Sequence, residues 1–421
     1  MRRFWMAAIA ALFIGAVALP ACAASGERVF DGKTLNGWTL VGGHGSGYVV
    51  KDGAIVCPSD GGGNLFTERD YSDFRMRFEW RCEKAGNNGV GIRAPLGGDA
   101  AYQGMEIQVL DDYDPGYANL KPGQYCGSVY MVAPAHRGAT RPAMEWNREE
   151  ITAIGRHIKV VINGKVVTDV DLNTITDPET LAVHPGMLRE RGHIGFLGHG
   201  SLVEFKNITI EDLAKPERDN VAPKGFTALF NGRDLKGWKG LVQNPPARAA
   251  MAPAQLQEAE AKATTEALKH WKPLDGAISY DGKNDSLCTA RDYADFEMLV
   301  DWKIEPGGDS GIYLRGSPQV QIWDNPLGSG GLYNNQKNPS NPTVKADRAP
   351  GEWNRFRILM VGDRVTVFLN ETLIVQNVQM ENYWERSKPI YPTGQLELQH
   401  HSSPLWFKNI YVREIGRTAA R

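Results

Sequence analysis

In Met105-Glu106-Ile107-Gln108-Val109-Leu110-Asp111-Asp112, polar and apolar residues alternate up to Val109. Side chains alternate across a β-strand, so Ile107 and Val109 belong to a core and Glu106, Gln108 and Leu110 to the opposite face. That second face carries a carboxylate and an amide about 7 Å apart on a rigid element. The pattern returns, altered, as Gln319-Val320-Gln321-Ile322-Trp323-Asp324-Asn325.

Other segments recur in the same order. Phe30-Asp31-Gly32-Lys33-Thr34-Leu35-Asn36-Gly37-Trp38 returns as Phe230-Asn231-Gly232-Arg233-Asp234-Leu235-Lys236-Gly237-Trp238. Glu145-Trp146-Asn147 returns as Glu352-Trp353-Asn354, and Phe205-Lys206-Asn207-Ile208 as Phe407-Lys408-Asn409-Ile410. A repeat of this length marks two domains of one fold. They are expected at 27–212 and 225–415, joined by a Pro-containing linker at 213–224. Phe74, Met76, Phe78 and Trp80 alternate with charged residues, and Asn163-Gly164 stands between two strand-like runs as a hairpin turn. Many short strands with closely spaced turn signals predict an all-β protein of two tandem antiparallel sandwiches. In the extra sequence of the second copy, 253–270 reads as one surface helix from its Ala, Glu, Gln, Lys and Leu content. The first copy has a Gly-rich loop at 94–103 that the second lacks, read either as a lid or as a plain surface excursion.

At 421 residues the chain is long enough for two such cores, and its 46 Gly and 11 Trp suit a turn-rich β fold. A formal net charge of −2 announces no nucleic-acid surface. Arg2 and Arg3, an apolar run over 6–19 and Ala21-Cys22-Ala23 compose a signal peptide over residues 1–23, which predicts a periplasmic or secreted protein. Leu19-Pro20-Ala21-Cys22 offers the alternative of a lipoprotein with its lipid anchor on Cys22. Cys57, Cys82, Cys126 and Cys288 divide three to one between the halves, so buried thiols are expected rather than a disulfide framework, with a single bridge as the alternative in an oxidising periplasm.

The shared markers are the Phe-x-Gly-x-x-Leu-x-Gly-Trp segment, the Gly-rich turn ending in Arg93 or Arg315, and the strand closing on Asp111 or Asp324. With Glu-Trp-Asn and the final Phe-Lys-Asn-Ile, they resemble the bacterial 3-keto-disaccharide hydrolase family in two tandem copies. That family is also described as 3-keto-glucoside 1,2-lyase/3-keto-2-hydroxyglucal hydratase domains. The resemblance implies a concanavalin-like β-jelly roll in each domain and a carbohydrate substrate, a glycoside whose ring carries a ketone at C3. It also implies a functional link to a sugar 3-oxidoreductase that installs the ketone. Such a ring has an acidified proton at C2; its removal lets the C1 substituent leave, and hydration of the resulting glycal completes a net hydrolysis. The site needs a base, a group for the enolate oxygen and an acid for the leaving group.

Glu106 is the expected base, with Arg93 holding a sugar hydroxyl or polarising the ketone, and His199 as acid, base or metal ligand. Gln108 is expected in the same pocket, and Asp111 on the substrate. The second domain has Gln319 where the first has Glu106, and Glu397 on a different strand. It is expected to gather Arg315, Gln321, Asp324, Glu397, Gln399 and His401 around a sugar, with Trp323 as the stacking platform. The plainer alternatives are arginines paired with Glu106 or Glu397 and histidines bonded at the surface. No His/Cys spacing supports a transition metal and no motif requires a cofactor; a divalent metal stays open, because Asp111-Asp112-Tyr113-Asp114 is either a calcium ligand set or a solvated turn. Catalysis is expected in the first domain and binding in the second. The alternative for the whole chain is a non-catalytic, lectin-like carbohydrate-binding protein.

Overall fold

The computed structural model describes residues 26–283 and 285–416; the expected signal peptide at 1–23, with Cys22, lies outside them. Among the described residues each half forms an eight-stranded and a five-stranded antiparallel sheet. The five-stranded sheet of the first domain holds β1 (Trp38–His44), β2 (Gly62–Tyr71), β3 (Asn87–Ala94), β4 (Met105–Leu110) and β5 (Gly192–Gly198), in the order β1-β2-β5-β3-β4. The second domain repeats it with β6 (Trp238–Gly240), β7 (Leu287–Thr289), β8 (Asp309–Leu314), β9 (Ser317–Trp323) and β10 (Glu397–Leu398), in the order β6-β7-β10-β8-β9. Equivalent strands therefore occupy equivalent places.

Each core lies between the two sheets. Ile107 and Val109 of β4 are fully buried in the cluster that contains Met76, Phe78 and Trp80 of the larger sheet. Val320 and Ile322 of β9 do the same with Met298 and Trp302. Their neighbours in sequence, Glu106 and Gln108 or Gln319 and Gln321, are thereby turned onto the other face. Cys57, Cys82, Cys126 and Cys288 are buried, unbridged thiols.

The repeated motifs hold the frame. Trp38 and Trp238 each donate their indole N–H to a backbone carbonyl nine residues upstream, Val29 and Leu229, at 2.8 and 2.7 Å. Asn147 and Asn354 each accept from the amide of the turn residue at the hairpin, Asn163 or Asn370, at 2.7 and 2.8 Å. Asn409 of the closing motif exchanges hydrogen bonds with Asn220, which pins the inter-domain segment.

Three helices matter for the site. In the first domain α1 (Ala100–Gln103) lies within the 94–103 loop. In the second, α2 (Pro245–Ala249) precedes α3 (Pro253–His270), which covers the span expected of a helix. One helix was expected in the insertion and two are present. Two prolines in five residues leave α2 no periodic pattern to read. The axis of α3 runs close against β6 at Gly240, where a Cβ would lie 2.2 Å from the Ala263 carbonyl oxygen, so only glycine admits the contact.

The domains meet through buried charge. Arg156 of the first domain reaches Glu297 of the second at 3.0 Å, and Arg357 and Arg413 bind the same carboxylate. Against the upward push of burial, these three guanidinium groups hold Glu297 down at about 2. Leu359, Phe368 and Ile415 of the second domain pack into the core cluster of the first.

Candidate functional site

On the outward face of the first five-stranded sheet, Glu106 of β4 lies against β3 at Gly89. A Cβ there would stand 1.9 Å from the Glu106 Oε1, so the glycine makes room for the carboxylate. His199, just beyond β5, brings its Nε2 to 3.3 Å from Glu106 Oε1. That bond raises the His199 pKa against the opposing effect of its partial burial. Gln108 donates to Asn87 at 2.8 Å. Leu197, Phe66 and Val41 form a small apolar patch on this outer side of the sheet. Glu106, Gln108 and His199 thus share one face.

Arg93 does not join them. Its side chain is buried and donates to the carbonyls of Ser72, Gly155 and Arg189, with Asp73 at 3.4 Å. Arg315 repeats this with the carbonyls of Pro392 and Gly362 and with Asp295 at 3.6 Å. Both residues have positive φ, 49° and 56°, which turns the side chain out of the strand's alternation and toward the turn of the larger sheet. The expectation that these arginines polarise a ketone is corrected: they tie the two sheets together through backbone oxygens.

Asp111 and Asp324 are also corrected. Asp111 accepts from the amides of Ala85 and Tyr113, and Asp324 from that of Gly307, so each closes the turn beside its strand. The rest of the acidic run is similarly engaged, Asp112 with the Cys126 amide and Asp114 with the Gly116 amide. Among the described residues no three His, Cys, Asp or Glu side chains cluster as metal ligands. Trp323 is displaced as well. Its indole N–H donates to the Gly328 carbonyl at 2.6 Å, and the ring lines a separate cavity of about 120 Å³ with Trp302 and Asp324.

The second domain builds a deeper site from the same sheet positions. Gly91 pairs with Glu106 and with Gly195 in the first domain; in the second, Tyr313 pairs with Gln319 and with Glu397. The carboxylate has moved from β4 to the strand equivalent to β5, and a phenol stands beside it. Glu397 lies in a pocket of about 250 Å³ lined also by Tyr313, Trp384, Gln399, His400 and Asn244. Its side chain is 5% exposed, and its nearest cation is Arg248 of α2 at 3.7 Å. Among the described residues it accepts no hydrogen bond. Burial pushes its carboxyl up to about 7, with Arg248 opposing. Burial, with Glu397 next to it, keeps the Tyr313 phenol well above its ordinary value and therefore protonated. Among the described residues the buried Gln399 Oε1 has no hydrogen-bond partner either.

Gln321 remains on this face, bonded to Asp309 at 2.7 Å. His401 does not line the pocket: it is 57% exposed and stands 3.8 Å from Asp309. Regular pairing ends at Leu398, so alternation does not extend to residue 401, and His400 lines the pocket instead, with its Nδ1 3.0 Å from Ser286 Oγ. Tyr313, Arg248, Trp384 and His400 escaped the sequence reading. Only Tyr313 left a signal, as a bulky residue where the other copy has glycine.

Comparison with known proteins agrees with the repeat. A 3-keto-disaccharide hydrolase of Bacteroides thetaiotaomicron is 27% identical over 237 residues, which cover 46% of this chain and 81% of the relative. Among solved structures, a provisional glycosyl hydrolase of Parabacteroides distasonis matches at 27% identity and a TM-score of 0.37, covering 42% of this chain and 100% of that one. A carbohydrate-binding module of Bacillus subtilis matches at 15% identity and a TM-score of 0.29, covering 42% and 96%. The family pattern of the 3-keto-alpha-glucoside-1,2-lyase-like domain matches residues 26–211 and again 225–413, and the chain belongs to that family through both of its halves.

Proposed function

We propose that this protein cleaves glycosides whose ring carries a C3 ketone, and that Glu397 is the base. The observation that carries this reading is the Glu397 carboxylate itself: buried, accepting no hydrogen bond among the described residues, lining a pocket of about 250 Å³, and with its carboxyl pushed up to about 7. A base tuned near the working pH is the most effective kind, and general base catalysis contributes roughly 10²–10⁴-fold.

In the proposed reaction Glu397 takes the C2 proton. The electron pair of the C2–H bond becomes the C1=C2 bond as the C1–O bond breaks, and the departing oxygen takes a proton. Water then adds across the double bond, hydroxyl to C1 and proton to C2. Tyr313 donates a hydrogen bond to the ketone oxygen as enolate charge develops, Arg248 adds positive charge nearby, and Trp384 supports the sugar ring. His400, an exposed residue of the pocket lining, gives the leaving oxygen its proton. The N-terminal segment directs the chain to the periplasm or outside, where a sugar 3-oxidoreductase supplies the ketone.

The test is incubation with a 3-keto-disaccharide, following free 3-keto sugar and the unsaturated intermediate. Turnover that falls at least 100-fold in Glu397→Gln supports the reading. Binding without turnover in the unaltered protein would replace it with the carbohydrate-binding one.

A further inference from the structure

Two features that each occur in one copy only meet across the domain boundary. The first is the 94–103 loop of the first domain with α1. The second is a bulge in the strand Thr372–Gln379 of the second domain. There Val375 pairs with Val367 and Val378 with Val365, so Gln376 and Asn377 together oppose Thr366 alone. The equivalent strand of the first domain, Lys165–Asp171, pairs without interruption from Thr168 to Asp171. Asn377 takes a positive φ of 49° in the bulge, its amide held by Thr366 Oγ1 at 2.9 Å. Bulges of this kind re-aim side chains, and here Gln376 and Asn377 face one groove together with the loop of the other domain.

Between them lies an open groove of about 540 Å³, lined by Asp99, Tyr102, Gln103, Val183, Gln376 and Asn377. Its size falls within the range of small-ligand sites, about 300–1,000 Å³. Tyr102 is held rigidly, stacked on His184 with centroids 4.7 Å apart and edge-on to Tyr130 at 6.4 Å. Three side-chain amides supply donors and acceptors in equal measure, the pairing that hydroxyl groups need. The lining's one charge, Asp99, caps α1 through the Ala101 amide at 3.0 Å and disfavours anions.

We infer that this groove binds a neutral disaccharide unit, as a carbohydrate site separate from the Glu397 pocket. The ligand class rests on the carbohydrate reading above. The amides would read hydroxyls and Tyr102 would fix the ring position. Neither domain has the site without the other.

Calorimetric titration of the intact chain with maltose tests it. Binding is expected, weakened at least tenfold by Gln376→Glu, by Gln376→Ala/Asn377→Gly and by Tyr102→Ala. Gln376 is exposed, so its Glu variant keeps the fold, and a thermal melt of each variant checks this. Trp384→Ala should keep the maltose binding while losing turnover. If Trp384→Ala abolishes binding and the Gln376 variants do not, the sugar sits in the Glu397 pocket and the inference is overturned; absence of maltose binding overturns it too. Cleavage of a methyl 3-keto-glucoside is scored separately. Its absence defeats the proposed reaction and leaves the groove result standing, and the converse holds for maltose.

Discussion

Tyr313 faces Glu397 across paired strands of the second domain, where the first domain has Gly91 facing Gly195. The two copies thus use the same sheet differently. One keeps its carboxylate on β4 against a histidine; the other sinks it into the middle of the sheet beside a phenol and roofs it with α2. The asymmetry generates contrasting outcomes for paired substitutions.

Glu397→Gln should lower turnover on a 3-keto-glycoside by roughly two or more powers of ten, the size of a lost general base. Glu106→Gln should leave more activity than that. The reverse ranking in parallel assays would move the chemistry to the first domain, as the sequence suggested.

The pH profile carries a signature of burial. As a base, Glu397 works ionised, so kcat/KM should rise with pH and level off above about 7. Arg248 holds that pKa down, so Arg248→Met should move the rising limb to higher pH. A limb that stays in place would separate it from Glu397.

Arg93 and Arg315 predict loss of stability. Each guanidinium is buried and spread over several carbonyls, so truncation strands polar groups at the sheet junction. Arg93→Met should cost about 3–5 kcal/mol, read by denaturant unfolding, while turnover per folded molecule at the Glu397 pocket survives. A variant that folds with unchanged stability but lacks turnover would return Arg93 to the site.

Glu149 should contribute to a loss of stability as pH rises past neutral. Burial pushes it up to about 8, although the Trp80 indole N–H donates to it at 2.7 Å. Between an unfolded value near 4.5 and about 8 the folded state keeps a proton that the unfolded state has released. Raising the pH through this window therefore destabilises the fold, by up to roughly 1.4 kcal/mol per pH unit. Glu397 shares the sign but only up to about 7. Glu149→Gln should flatten the slope between pH 7 and 8; an unchanged slope there would exonerate Glu149.

Alternation and repetition were enough to specify the sandwiches. Ile107 and Val109 are core because a strand has a period of two, and no distant residue needs to be known for that. The same rule turned Glu106, Gln108 and Gln321 onto the sheet face, and composition located α3. Side-chain destination at the strand ends was a different matter. Arg93 and Arg315 leave the pattern because of a positive φ, and Asp111 and Asp324 because nearby turn amides capture them. Trp323 is captured by the Gly328 carbonyl, and pairing that stops at Leu398 exchanges His401 for His400. The approach of Arg248 to Glu397 needs a helix more than a hundred residues away to pack over the sheet, and the groove needs Tyr102 and Gln376 to meet across two domains. Such contacts depend on how surfaces dock, an energy summed over the whole fold, so only the tertiary structure could decide them.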